Sequence, residues 1–292
     1  MARPLTQSVV EQWVSLVKGN FNAREIWVEV GIESKEGKHH LRTILSRLDN
    51  VESLGYGNYR KKDADAPEID WQNADPGNIV PLKFPFGEHE YAIIYPKSIV
   101  IVAGSKNAGK TEYLYEFIKL NMSSFDIDLF NSETGPEQMR ERFNSLGIIP
   151  PVPFHTYERY DNFADVVHPD HISVIDYLDM NSEFYLVGVE IDRIFRNLKR
   201  GVAVIGMQKP PPSVVFVKGV KTLVERDLAY GGGVTEKRAA LYITMGSNKL
   251  KLHRVKTPKK SNIAPQNMTF KFDFSDEGHF INKRRSYGEE SE

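Results

Sequence analysis

Gly104-Ser105-Lys106-Asn107-Ala108-Gly109-Lys110-Thr111 sets two glycines five positions apart and follows the second with a lysine and a hydroxyl residue. Those residue types at that spacing suit the cradling of phosphates. Glycines let successive backbone N–H groups converge on an anion at a helix N-terminus. Lys110 would reach the β- and γ-phosphates, and the Thr111 hydroxyl would ligand Mg²⁺. Short patterns arise by chance, so placement carries the weight. The apolar run Ile99-Val-Ile-Val-Ala103 enters the loop, and Thr111–Leu120 leaves it with a helical pattern. Strand, glycine loop and helix in that order are what phosphate binding requires.

Three polar residues close later apolar runs, at the strand ends where ligands of open α/β sheets gather. Ile172-Ser-Val-Ile-Asp176 ends in a carboxylate suited to hold Mg²⁺, directly or through water. Phe125-Asp-Ile-Asp-Leu-Phe-Asn-Ser-Glu133 places Glu133 just past another strand, positioned to polarise an attacking water. Val202-Ala-Val-Ile-Gly-Met-Gln208 ends in an amide suited to sensing a γ-phosphate. The expected site therefore has Lys110, Glu133 and Gln208 in catalysis, Gly104 to Thr111 around the nucleotide, and Thr111 with Asp176 on the metal. ATP and Mg²⁺ are the implied cofactors. His168-x-x-His171 lacks a nearby third ligand and reads as loop surface.

The elements that must position these residues alternate. From about residue 87 to 274, apolar strands follow helical patterns in turn, which implies a mostly parallel sheet with helices on its faces. Leu250–Arg254 and Thr269–Phe274 read as antiparallel additions. At 292 residues the chain has room for two domains, and 40% apolar content with 16 Phe and 13 Tyr is ample for a core. No cysteine is present, which excludes disulfides, thiol nucleophiles and Cys-ligated metals. The longest apolar runs are strand-length, and the start has no apolar leader core, so the expectation is a cytoplasmic protein without membrane contact. Lys and Arg total 38 against 39 Asp and Glu, for a net charge of −1, which excludes a basic coat but not a local basic patch.

The first fifty residues carry three amphipathic segments. Thr6 reads as an N-cap before Val9, Val10, Trp13, Leu16 and Val17, and Asn22-Ala-Arg-Glu25 has the form of a capping box. Ser34 would cap a third helix with the stripe Leu41, Ile44, Leu45 and Leu48, its start shifted toward Lys38 by Gly37. A glycine-centred turn follows at Leu54–Lys62. Three helices and a small hairpin read as a winged helix-turn-helix. On the third helix Lys35, Lys38, His39 and Arg42 form a basic face, and Arg60, Lys61 and Lys62 suit phosphate contacts. The Lys209-Pro-Pro-Pro-Ser213 stretch with Lys218 and Lys221 is a second loop able to meet a nucleic-acid strand.

The succession of Gly104–Thr111, Asn131-Ser-Glu133, Val174-Ile-Asp176-Tyr-Leu178 and Met207-Gln208 resembles the RecA-like ATPases, with the ATPase domain of DnaB-type hexameric helicases nearest. Glu133-x-x-x-Glu137-Gln138-Met139-x-x-Arg142 is similar to the segment after that family's second strand, whose first Glu is the catalytic base. Arg226-Asp227-Leu228 with Gly233-x-x-Glu236 resembles the stretch after its DNA-binding loop. Where the family carries a Lys-x-Arg finger toward a neighbour's γ-phosphate, this chain has Arg254-Val-Lys256 in reversed order, and the family's helical N-terminal domain is replaced by the winged helix. The resemblance, over about residues 87–274, implies a RecA-like P-loop core; with the N-terminal reading the expected fold is α/β, a RecA-like core over 87–280 with a small winged-helix domain at 1–62, a linker at 63–86 and a polar tail at 281–292. It also implies a DNA-associated, Mg-dependent ATPase forming a hexamer or filament, at work in replication or recombination, including that of a mobile element. The alternative is an ATP-switched DNA-binding regulator or scaffold without helicase activity.

Overall fold

Chain contacts divide the molecule into two units, Met1–Ala74 and Asp75–Glu292. The computed structural model describes residues 5–17, 19–63, 66, 68–178, 186–217 and 220–286, without the side chains of 215, 217, 220 and 222.

In the first unit each helix begins at a polar cap. Helix α1 (Gln7–Leu16) starts where Thr6 Oγ1 accepts from the Val9 N–H at 3.4 Å. It buries Val10 and Val14, one turn apart, and leaves Leu16 80% exposed, so Leu16 does not belong to the inward stripe expected of it. Strand β1 (Asn20–Asn22) leads into α2 (Ala23–Val30), closed by the reciprocal Asn22–Glu25 capping box and ended by left-handed Gly31. Helix α3 (Lys35–Arg47) starts earlier than the propensity of Gly37 implied. Ser34 Oγ accepts from the Gly37 N–H at 3.0 Å, and a Cβ on Gly37 would stand 2.7 Å from Ile32 Cγ2. The glycine is a close approach rather than a delayed start. Strands β2 (Val51–Gly55) and β3 (Asn58–Lys61) complete an antiparallel sheet of order β1-β3-β2. Its core joins Val10, Val14, Ile26, Leu41 and Leu45 to Phe21, which stacks on Tyr59.

In the second unit the chain runs through β4 (Ser98–Gly104), α4 (Lys110–Asn121), β5 (Ile127–Asn131), α5 (Pro136–Ser145), β6 (Phe154–Glu158), β7 (Ile172–Asp176), α6 (Leu186–Asn197) and β8 (Val202–Gln208). The hairpin β9 (Ser213–Val217) and β10 (Val220–Val224) follows, then α7 (Gly233–Glu236), β11 (Ala239–Gly246), β12 (Lys249–Val255), β13 (Thr269–Phe274) and β14 (Phe280–Ser286). One nine-stranded sheet has the order β14-β13-β12-β11-β4-β8-β7-β5-β6. The six strands from β11 to β6 are parallel and the other three join antiparallel. Strands β4, β5 and β7 are buried along their whole length, as parallel strands covered on both faces must be. The fold is thus mixed α/β around a large central sheet, and no described helix is long and apolar enough to cross a membrane.

Several sequence expectations are corrected here. The stretch 63–86 is not all linker, because Leu82, Phe84 and Phe86 are buried in the second core. The tail expected from 281 begins inside β14, whose Phe280 packs on Phe86 and Phe272. The loop after Gln208 includes the β9–β10 hairpin, with Lys221 exposed and Lys218 outside the described residues. Strand β6 escaped the sequence pattern because only Phe154 of its five residues is buried.

Glu88 lies wholly inside this core, accepting from Tyr113 Oη at 2.7 Å and from the Phe86 N–H at 2.9 Å. Burial pushes its carboxyl from 4.5 up to about 7, against the pull of those hydrogen bonds and of Lys283. A folded-state value above the unfolded one means the stabilising proton is fully present below about pH 4.5 and lost as pH rises through about 7. Across that interval the group should cost about 3 kcal/mol of stability. Urea unfolding at pH 5 and pH 8 should show that Glu88→Gln loses less stability over this interval than the parent. An equal loss in both proteins would contradict the assignment.

Candidate functional site

The glycine loop joins the end of β4 to the start of α4, and each glycine has a physical reason. A Cβ on Gly104 would stand 2.5 Å from Lys110 Cγ, so the glycine is what lets the lysine arch back over the loop. There Lys110 Nζ donates to the carbonyls of Gly104 at 3.3 Å and Ser105 at 3.2 Å. Gly109, the N-cap of α4, has φ +88°, and a Cβ would meet Phe274 Cζ at 2.8 Å and Phe280 Cε1 at 2.9 Å. The Ser105 N–H donates to Met245 and the Ala108 N–H to Ser105, while Ala108 is buried and Lys106 and Asn107 are exposed. The first amides of α4 are the ones helix geometry leaves without intrahelical acceptors, an arrangement that suits an anion.

Asp176 ends β7 against this loop. It is 1% exposed; Oδ1 accepts from Thr111 Oγ1 at 3.4 Å, and Oδ2 is buried with no partner among the described residues. Burial first, and Glu133 second, push its carboxyl up to about 6, against the hydrogen bond from Thr111 and the charges of Lys110 and Arg142. Burial likewise lowers the Lys110 ammonium, against the pull of Asp176 and Glu133. A dry carboxylate oxygen without a donor, beside a threonine hydroxyl, is a hard-oxygen pair of the kind Mg²⁺ takes. The residues present fit that ion. No group of three His, Asp or Glu forms a metal cage among the described residues.

Glu133 is exposed on the loop after β5, and hydrogen bonds to the Asp176 strand fix that loop. Ser132 donates its N–H to the Asp176 carbonyl at 2.9 Å, and its hydroxyl accepts from the Tyr177 N–H at 3.1 Å. Asn131 clamps the turn, accepting from the Thr134 N–H at 3.1 Å and donating to its carbonyl at 2.6 Å. Glu133 thus rides on a segment whose spacing from Asp176 is set by backbone bonds. Strand β8 lies between β4 and β7, which carries half-buried Gln208 to the same rim.

Lys110, Thr111, Glu133 and Gln208 line one cavity of about 760 Å³, whereas Asp176 lies buried behind Thr111 and is not part of the lining. The structure also brings in Gln138 and Arg142 from α5, and Phe274 and Glu277 from β13 and the turn that follows it. The first pair stood in the quoted motif without an assigned role. The second carries no motif at all and arrives only through the antiparallel half of the sheet.

The basic candidates of the first unit divide into two groups. Lys35, His39, Arg42 and Lys62 are exposed, and Lys38 is half-buried. Lys38 Nζ and the Arg42 guanidinium lie 4.9 and 5.8 Å from the Trp27 ring centroid, so the indole anchors both cations on α3. Arg60, in contrast, is ion-paired to Glu52, and Lys61 Nζ donates to the Ser15 carbonyl at 2.9 Å, so both serve the unit itself. In the second unit Lys209 is 4% exposed and donates to Thr244 Oγ1 at 3.2 Å, which takes it out of the surface loop. Arg254 donates to the Glu236 carbonyl of its own chain at 3.1 Å. His171 Nδ1 lies 2.8 Å from Asp128 Oδ2.

No family model matches the chain, and no curated protein matches it. Among solved structures it is similar to a RadB recombinase, with a TM-score of 0.44 and 13% identity over 63% of this chain and 90% of that one.

Gly109→Ala should test the loop directly. A side chain there meets both a positive φ and two phenyl rings, and a strained residue of this kind costs about 1–3 kcal/mol. Thermal unfolding should show that loss, whereas an unchanged melting temperature would mean the loop is not held against Phe274 and Phe280.

Proposed function

We propose that this protein is a DNA-associated ATPase with a RecA-like core, using ATP and Mg²⁺ in replication or recombination. One observation carries this reading: Lys110, Thr111 and Glu133 line one cavity at the C-terminal ends of parallel strands, and buried Asp176 accepts from Thr111 behind it. The succession of phosphate loop, Glu133, Asp176 and Gln208 along one parallel sheet supports the RecA-like assignment.

In this reading the amides of Gly109, Lys110 and Thr111 cradle the β-phosphate, and Lys110 exchanges its two carbonyl acceptors for phosphate oxygens. Thr111 Oγ1 and Asp176 would hold Mg²⁺, which when bound neutralises charge on the β- and γ-oxygens. Glu133 accepts a proton from the attacking water as its oxygen bonds the γ-phosphorus. The bond from that phosphorus to the bridging oxygen breaks, releasing ADP and phosphate. Gln208 is placed to donate its amide to the γ-phosphate. Subunits would assemble as a hexamer or filament, as RecA-like proteins do. The first unit acts as a winged helix-turn-helix, with α3 facing duplex DNA and β2–β3 as the wing; its three helices and the three-stranded sheet support this.

Two experiments test the reading. Lys110→Ala should abolish binding of a fluorescent ATP analogue, while Glu133→Gln should bind it and lose about 10²–10⁴-fold in turnover. Wild-type turnover in Glu133→Gln would move the base elsewhere. Replacing Lys38 and Arg42 together with Ala should lower the slope of log affinity for duplex DNA against log salt by about 0.9 for every phosphate no longer neutralised. An unchanged slope in a folded variant would make the first unit a protein-docking module.

A further inference from the structure

The antiparallel extension of the sheet has one apolar and one basic face. Leu250, Leu252, Phe270 and Phe272 point into the core, so the residues between them point the other way. In the registered pairing Lys249 stands opposite Lys271, and Lys271 opposite Arg284. Three cations thus form a row across three adjacent strands, with Lys271 and Arg284 exposed. At roughly 4.8 Å between strands the row spans about 10 Å.

Like charges directly opposite one another destabilise a sheet. The Glu225 carboxylate lies against Gly246, the residue registered opposite Lys249 on β11, and no carboxylate is registered with Lys271 or Arg284. Asp273, two residues further along β13 from Lys271, accepts from the amides of Asn248 at 3.3 Å and Asn282 at 3.0 Å. The neighbouring Lys251 is paired with Asp227 at 2.5 Å. Beside the row lies a cavity of about 570 Å³, lined by Lys249, Lys251, Lys271 and Arg285 together with Asn267 and Thr269, and no described lining residue is acidic. Cations in a row, flanked by amide and hydroxyl donors, are complementary to a chain of phosphates.

We propose that this face of β12–β14 binds the phosphodiester backbone of single-stranded DNA through Lys271 and Arg284, beside Lys249. The three residues belong neither to the ATP cavity nor to α3, and the proposal does not depend on the ATPase reading. Because the contacts are to phosphates, binding is independent of sequence and strongly weakened by salt.

The test uses the full chain and a fluorescent thymidine oligonucleotide, with affinity measured at several salt concentrations. Replacing Lys271 and Arg284 together with Gln should weaken binding and reduce the slope of log affinity against log salt by about 1.4, or about 0.7 for each phosphate no longer neutralised. The charge-preserving pair Lys271→Arg with Arg284→Lys should keep the parent slope. Circular dichroism matching the parent ties the weakened binding to the missing charges, and ATP-analogue binding is measured separately, so failure of the nucleotide assignment leaves this result readable. A parent-like slope in the Gln pair would overturn the proposal. Poly-glutamate competing as well as the oligonucleotide at equal charge would also overturn it, in favour of an acidic protein partner.

Discussion

A carboxylate held almost dry is the constraint around which the second unit is arranged. Asp176 buries one oxygen with no partner among the described residues, and that burial drives its carboxyl up to about 6. A group in that state costs stability unless a cation or a donor meets it. Three groups approach it from separate places along the chain: Thr111 from the first turn of α4, Lys110 from the end of the glycine loop and Arg142 from α5. Their meeting requires the parallel order of β4, β8, β7 and β5, because only that order brings the four strand ends to one rim. The loop carrying Glu133 is joined to the same strand end by Ser132, so the expected base and metal ligand are coupled through a short hydrogen-bonded path.

The antiparallel half of the sheet bears on the same site from the other side. Phe274 and Phe280 close over Gly109, and His279 Nδ1 lies 2.7 Å from Glu112 Oε1 in the first turn of α4. Lys283 reaches Glu116 and the Pro85 carbonyl, tying β14 to α4 and to the segment that carries Phe86. Helix α4 is therefore gripped over its first two turns, with its N-terminus aimed at the cavity. The phosphate binding proposed for this loop would gain from such rigidity, since amides already aligned need little reorganisation to meet an anion. The same strands turn their other face outward with a registered row of basic residues, so one extension both braces the loop and presents cations.

The glycine loop between strand and helix, Asp176 at a strand end, the parallel α/β class and the three helical caps were legible in the sequence by itself, because each depends on neighbours within a few residues. A glycine loop between an apolar run and a helical pattern specifies its own geometry, and alternating burial follows from period alone. The places of Phe274 and Glu277 were hidden, since they reach the cavity from the antiparallel strands far along the chain. The same distance explains why Lys209, Arg60 and Lys61 looked like free cations. Their partners Thr244, Glu52 and Ser15 lie 35, 8 and 46 positions away. Gly37, read from propensity as a weak helix start, is required by the approach of Ile32. Local sequence determined which residues can do chemistry; tertiary packing decided which of them meet, because contact across a sheet depends on strand order and register, and neither is written in the spacing of residues along one strand.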